Sequence, residues 1–468
     1  FAPFAASVAG AYRFRPRGSL ERRRRVAACG MAIANGVGFD AERLTLRVQD
    51  HLAQGDIDVA LRSLEEALAS VQAAGDTKGE SVVEDLLATV HSAGGRHGDA
   101  MAASRKAISV ARAAGDLERA AGTCLETLCA VFSAAGQGEE ALQQALELQR
   151  ECRRAGESAA EAGACLAECL AQHDQGRVEE SIAAARHAEE LFDRAGRPLG
   201  RARAFAAIAE IRLGAGAGYE IARKAAQRAR KLFAQAGPAE ELNALRMQLA
   251  ECQAQIYALA ERPVHIRTPA LWAETLSSAQ NAEEVARGLN DFRSAGAALS
   301  LATQVHMATE RHQAAARTAA AAVDLYRDCD VPQDLARALV LGAGAALALG
   351  RRKEAKRLAT EALDLAKKAQ DTGVEGLASD ALERVARLAP EVSGSDAKAD
   401  EAEAEAEEAY QAPERLDEIL SQVMALDAFF GPFVETPLMI PGAVGPVQPL
   451  STDALLAVGR RRQHRQAH

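Results

Sequence analysis

The sequence predicts an all-α fold, a right-handed superhelical solenoid of antiparallel helix pairs. Three observations predict it. The phrases Ala74-Gly75-Asp76, Ala114-Gly115-Asp116, Ala155-Gly156-Glu157, Ala195-Gly196-Arg197 and Ala236-Gly237-Pro238 recur with their glycines 40, 41, 40 and 41 residues apart. A fixed period of that size marks stacked helical hairpins. A second glycine falls near the middle of each unit, at Gly55, Gly95, Gly136, Gly176 and Gly216, with Gly350 late in the chain. Between these breaks run stretches rich in Ala, Leu, Glu, Arg and Gln, which are strong helix formers. No stretch alternates Val, Ile, Thr and aromatic residues as a half-buried strand would, so no sheet is expected.

In chain order, residues 1–40 read as a basic, disordered leader. Residues 1–36 hold seven arginines against the single acid Glu21. An Arg-rich, acid-poor start is the pattern of an organelle transit peptide. Arg22-Arg23-Arg24-Arg25-Val26-Ala27-Ala28-Cys29 is similar to a plastid processing site, and Phe1-Ala2-Pro3-Phe4 resembles the start of transit segments in algae with complex plastids. Plastid or other organelle import is the expectation. A basic arm on a cytoplasmic protein is the alternative.

Residues 41–390 carry the repeat. Each unit reads helix, Gly turn, helix, Gly-Asp turn, giving eight helix pairs and a capping helix near 372–389. Looser copies of the turn stand at Asn290-Asp291, Cys329-Asp330 and Gln370-Asp371. Asp76, Asp116, Asp291 and Asp371 each precede a new helix, where a short carboxylate caps orphan N–H groups. Second helices carry alanines seven apart: Ala60/Ala67, Ala100/Ala107, Ala222/Ala229, Ala314/Ala321 and Ala355/Ala362. Small residues two turns apart let neighbouring helices approach closely, so Ala314→Leu is expected to overpack a helix contact. First helices carry a large-then-small pair: Leu87-Ala88, Leu128-Cys129, Ile208-Ala209, Leu301-Ala302 and Leu341-Gly342. The unit from Gly237 to Asn290 is longer than its neighbours. Its surplus near Ala260–Trp272 contains Pro263 and Pro269 and predicts a loop between two helices. His265, Arg267 and Trp272 are its candidate binding residues.

The repeat signal stops after Pro390. Residues 391–411 form an acidic linker, with eight acids against Lys398 between Glu391 and Glu408. The remainder, 412–468, opens with an amphipathic helix over 413–427. It continues as an apolar stretch containing Phe429, Phe430, Phe433 and Ile440, punctuated by prolines. Such a tail cannot build a core alone. It is expected to dock on the C-terminal part of the array or on another protein.

Composition excludes several functions. No run of 18 uninterrupted apolar residues occurs, so no membrane span is expected. The formal net charge is −10, much of it in the linker, and the array mixes both signs. That argues against nucleic acid as a partner. No phosphate-binding loop is present, and Gly214-Ala215-Gly216-Ala217-Gly218 follows no strand, so no nucleotide cofactor is implied. No catalytic set emerges. Cys124, Cys129, Cys165 and Cys169 lie close in the repeat frame, which raises a zinc site. Cys129 and Cys169 occupy small packing positions, however, and free cysteine behaves as a small buried hydrophobe. No metal and no cofactor are expected.

The Leu-small pair, mid-unit glycine and spaced alanines resemble the tetratricopeptide repeat (TPR) family. The period is longer than that family's roughly 34 residues. It is similar to the long-unit branch in Pins-type G-protein-signalling modulators, where phrases like Gly75-Asp76-Thr77-Lys78-Gly79-Glu80 link repeats. The Gα-binding motif of those proteins has no counterpart in the tail. HEAT or armadillo units have a similar length, but the Gly turn and alanine pair favour the TPR resemblance. The resemblance implies a groove lined by first helices. Carried over position by position, it comprises Asp85, Thr89, Ser92, Thr123, Glu126, Ser133, Glu168, Arg203, Glu210, Thr303 and His306. Its N-terminal half is acid-rich, implying a ligand with basic or hydrogen-bonding side chains. Two functions follow: a non-catalytic adaptor that binds peptide segments of other proteins, or the sensor segment of a larger signalling protein.

Overall fold

The computed structural model describes residues 40–262, 268–329, 331–369 and 371–387. The leader, the acidic linker and the tail with its expected docking lie outside the described residues, as do His265 and Arg267. Every regular element among the described residues is helical.

The described chain divides into two compact units, residues 40–197 and 198–387. The first unit contains α1 (Ala41–Gln54), α2 (Ile57–Ala74), α3 (Thr77–Ala93), α4 (His97–Ala113), α5, α6 (Gly138–Ala155), α7 (Ser158–Asp174) and α8 (Val178–Arg194). Helix α5 is Leu117–Thr123 and Cys129–Ala134 joined by one π-helical stretch, Cys124–Leu128. The second unit contains α9 (Pro198–Gly214), α10 (Tyr219–Ala236), α11 (Glu241–Glu261), α12 (Pro269–Gly288), α13 (Phe292–Ala308), α14 (His312–Cys329), α15 (Pro332–Ala348), α16 (Arg352–Ala369) and α17 (Thr372–Arg387). Odd-numbered α1–α15 are the first helices of eight pairs, even-numbered ones the second helices, and α17 closes the series.

The turns follow the local chemistry of the sequence. Gly75 and Gly115 sit at φ +67° and +72°, a left-handed conformation that glycine adopts without a Cβ clash. Where the glycine is missing, Asn290 takes the same conformation at φ 57°. The four expected caps are present. Asp76 accepts from the Gly79 N–H at 2.9 Å, Asp116 from Arg119 at 2.9 Å, Asp291 from Ser294 at 3.2 Å and Asp371 from Val374 at 3.1 Å.

Within each unit, small residues sit at the helix contacts and large ones fill between them. In the first unit Leu44, Val48, Leu61, Leu64, Val83 and Val90 form one cluster around Ala60 and Ala88. In the second, Val323, Tyr326, Leu339, Val374 and Leu377 pack around Ala322, Ala336 and Ala362. Of the alanine pairs, Ala100/Ala107, Ala222/Ala229 and Ala355/Ala362 are fully buried. The pair in α14 is shifted by one residue. Ala315 and Ala322 are buried, whereas Ala314 and Ala321 stay partly exposed. The overpacking site is therefore Ala315. Ala315→Leu is expected to cost about 1–3 kcal/mol and Ala314→Leu much less, read as the difference in urea midpoint.

Trp272 also departs from expectation. It lies in the first turn of α12, is 5% exposed, and belongs to the core rather than to a loop surface. Pro269 opens that helix, where a missing N–H costs nothing. The cysteines of the described residues are free thiols, all buried except the half-buried Cys329. Burial pushes Cys165 up to about 12 and Cys252 to about 11, as fits packing rather than reactive roles.

Candidate functional site

Within each unit, first helices have one side turned to neighbouring second helices and another turned to a neighbouring first helix. The charged groups differ between the two sides. Toward the second helices they are paired. Glu84 of α3 receives Lys106 of α4 at 2.5 Å. Glu161 of α7 receives Arg153 of α6 at 2.7 Å, and Glu251 of α11 receives Arg230 of α10 at 2.9 Å.

Toward the next first helix they are not all paired. In the first unit Asp85 of α3 meets Arg119 of α5, with Nη2 3.4 Å from Oδ2. It also faces the hydroxyls of Thr123 and Thr127. Asp85 Oδ1, Arg119 Nε and Thr123 Oγ1 are nevertheless buried with no hydrogen-bond partner. Burial raises the Asp85 carboxyl above its ordinary range, opposed by Thr127, Arg119 and Thr123. The π-helical stretch sits at this point, and its Cys129 N–H reaches back to the Cys124 carbonyl. One extra residue per turn re-aims Thr127 and half-buried Glu126 relative to a regular helix, as π-bulges do at binding sites.

In the second unit Glu210 of α9 stands near Arg246 of α11. Glu210 Oε1 and Arg246 Nη1 are each buried without a hydrogen-bond partner, while both residues keep part of their surface exposed. Burial is the main cause that pushes Glu210 up to about 8, with Arg246 opposing it; burial also lowers Arg246, which feels Asp291 and Arg293 of α13 as well. A carboxyl whose folded value lies above its unfolded one binds more protons when folded. Its stability contribution is therefore full below the unfolded value of 4.5 and lost as pH rises toward about 8. Relative to Glu210→Gln, the wild-type chain should lose stability between pH 4.5 and 8. Parallel melts of the two proteins across that range measure the difference.

The predicted groove residues divide accordingly. Asp85 and Thr89 lie on α3 and Thr123 and Glu126 on α5, while in the second unit Glu210 lies on the side of α9 toward α11. Ser92 and Arg203 are half-buried. Ser133 is also half-buried and hydrogen-bonds Asp174 of α7. Glu168 accepts from Gln149 of α6 at 3.3 Å and from Gln172 of its own helix at 3.0 Å, which turns it toward α6. Thr303 is turned inward as well. It is 0% exposed and shares a 2.8 Å hydrogen bond with Thr318 of α14. His306 is buried, its Nδ1 has no partner, and burial lowers its pKa. Arg119 and Arg246 were missed, because each lies outside the family positions carried over; a basic residue one repeat after an acidic one was the available signal.

No family model and no curated protein matches the sequence. Solved structures do match in fold. A signal transduction ATPase with numerous domains, carrying a tetratricopeptide repeat sensor, from Pyrococcus horikoshii aligns over 76% of this chain with a TM-score of 0.53 and 15% identity. The match spans 52% of that protein, about half its length. Apo RapI aligns over 84% of this chain and 97% of its own, with a TM-score of 0.49 and 11% identity. The fold is therefore that of the TPR-type helical-repeat proteins. No helix among the described residues is long and apolar enough to cross a membrane.

Proposed function

We propose that this chain is a non-catalytic adaptor that captures peptide segments of other proteins on its first-helix faces. One observation carries the reading. Among the described residues, Asp85, Arg119, Thr123, Glu210 and Arg246, all on first helices, carry buried side-chain atoms with no hydrogen-bond partner. Such atoms each cost about 1–3 kcal/mol in the free protein. A face that accumulates them is matched to a ligand that brings the missing donors and acceptors. An extended peptide carries one N–H and one C=O per residue and suits that demand. The acid-rich face around Asp85 and Glu126 favours a basic or hydrogen-bonding segment.

Panning a phage-displayed random dodecamer library on the 468-residue chain tests this. Selected peptides are expected to bind about tenfold more weakly to Asp85→Ala or Glu210→Leu. Lys231→Ala, on the exposed side of α10, is expected to leave them unchanged. No enrichment, or sensitivity only to Lys231, would count against the proposal. The sensor-segment reading is favoured by a single fact, the likeness to the repeat sensor of a larger ATPase. Within this chain both readings use the same faces.

A further inference from the structure

We propose that residues 391–408 pack against α16 and α17 as the second helix of a ninth pair, held to the lysines of α16 by their carboxylates. Their place in the repeat fits this. Second helices α14 and α16 start three residues after their first helices end, from Ala308 to His312 and from Ala348 to Arg352. α17 ends at Arg387, so an equal connection starts the next second helix at residue 391. Ala315, Ala319, Ala322 and Tyr326 are buried contacts of α14, and Ala355, Ala359, Ala362 and Ala366 repeat them in α16. The same positions next fall on Ser395, Ala399, Ala402 and Ala406, all small.

The described residues supply the surface for it. Arg112 of α4 and Arg327 of α14 each follow a buried contact residue and reach the next second helix. Arg112 pairs with Glu151 of α6, and Arg327 with Glu361 of α16 at 2.6 Å. Lys367 holds that position in α16. Among the described residues, the ion pairs of α16 are Arg351–Glu354, Arg357–Glu361 and Arg327–Glu361, and Lys353, Lys356 and Lys367 stand exposed outside them. Glu151 and Glu361 each precede a buried contact residue, Cys152 and Ala362. Glu405 and Glu401 precede Ala406 and Ala402 in the same way, which sets them opposite Lys367. α17 shows the matching feature. Its Ala381, Leu382 and Val385 are half-buried, whereas Leu341, Gly342 and Ala345, at the same positions of α15, are buried. In that earlier pair Leu358 of α16 lies over Gly342. Lys398 takes the position of Leu358, and its aliphatic stem suits Leu382. Ala and Glu, both strong helix formers, dominate 397–409. Glu401 and Glu405 repel each other at i,i+4, so this helix needs the lysines of α16. Its acidic outer side gives the array the polar end that solenoids require.

Carbodiimide cross-linking of the full chain, with adducts of the monomer located by mass spectrometry, tests the register. The ninth pair predicts that Glu401 and Glu405 join Lys367 in preference to Lys353. A free tail leaving α17 predicts the reverse, because the end of α17 lies beside the start of α16, where Lys353 stands. Amide exchange supplies a second readout. Lys367→Glu should speed exchange over residues 381–385 about fivefold. Adding Glu401→Lys and Glu405→Lys to that variant should restore the slow rate. Adducts that favour Lys353, adducts found only between two copies of the chain, or exchange indifferent to Lys367→Glu would each overturn the inference.

Discussion

Tyr326→Ala should lower the stability of the second unit by about 3–5 kcal/mol, the range for emptying a large aromatic site. Tyr326 of α14 is 1% exposed and is the largest fully buried side chain among the described residues. It packs against Leu299, Val323 and Leu339 and hydrogen-bonds Ser300. Gly296 of α13 lies directly under its ring. A Cβ at that position would meet the ring carbons at 2.7 Å, closer than carbon atoms pack. Glycine is required here for space, with tyrosine as its counterpart. Gly296→Ala should therefore destabilise as well, by about 1–3 kcal/mol from overpacking. Combining it with Tyr326→Leu should return part of the loss, since two residues in contact do not add. Tyr326→Phe removes only the hydroxyl bond and should cost about 1 kcal/mol. Urea unfolding of wild type, these four variants and Tyr326→Leu alone gives the comparison, and additive losses in the double variant would refute the contact.

Asp334→Ala should cost a similar amount, about 3–5 kcal/mol, because it removes one member of a buried charge cluster. Asp334 is at the start of α15. Its Oδ2 lies 2.7 Å from Arg293 Nε of α13, and its Oδ1 lies 3.5 Å from Arg337 Nη1. Asp334 and Arg337 side chains are both 5% exposed, so water cannot replace the lost partner. Exposed pairs such as Arg387–Glu383 should contribute well under about 1 kcal/mol by contrast. The informative companion is Asp334→Ala with Arg337→Leu. Removing both charges should recover much of the loss, as replacing a whole buried pair by apolar groups often does. Equal losses in single and double variants would mean that packing, not charge, holds this corner.

The helices and turns were legible because their causes are local. Asp76, Asp116, Asp291 and Asp371 cap helices with atoms three residues away, and a glycine at φ +67° depends only on its own backbone. The alanine register of α14 was not legible. The run from Ala314 to Ala322 offers an apolar residue at almost every phase, and only packing selects Ala315 and Ala322. The π-helical stretch in α5 left no sign either, since Cys124–Leu128 has the composition of an ordinary helix. The groove positions rested on the repeat frame alone. Asp85 and Glu210 came from the repeat frame. Glu168 and Thr303 bond second-helix residues, because a first helix touches second helices on one side and a first helix on the other, and the frame does not say which side each residue takes. Arg119 and Arg246 matter only through neighbours more than thirty positions away.

The most direct measurement is photo-crosslinking of a selected dodecamer, carrying one benzoylphenylalanine, to the full chain, with adducts located by mass spectrometry. Capture on first-helix faces predicts adducts within α3 and α5, or within α9 and α11, and their loss in excess unlabelled peptide. Adducts confined to second helices such as α4, α10 or α16 would contradict it, as would labelling that excess peptide does not suppress.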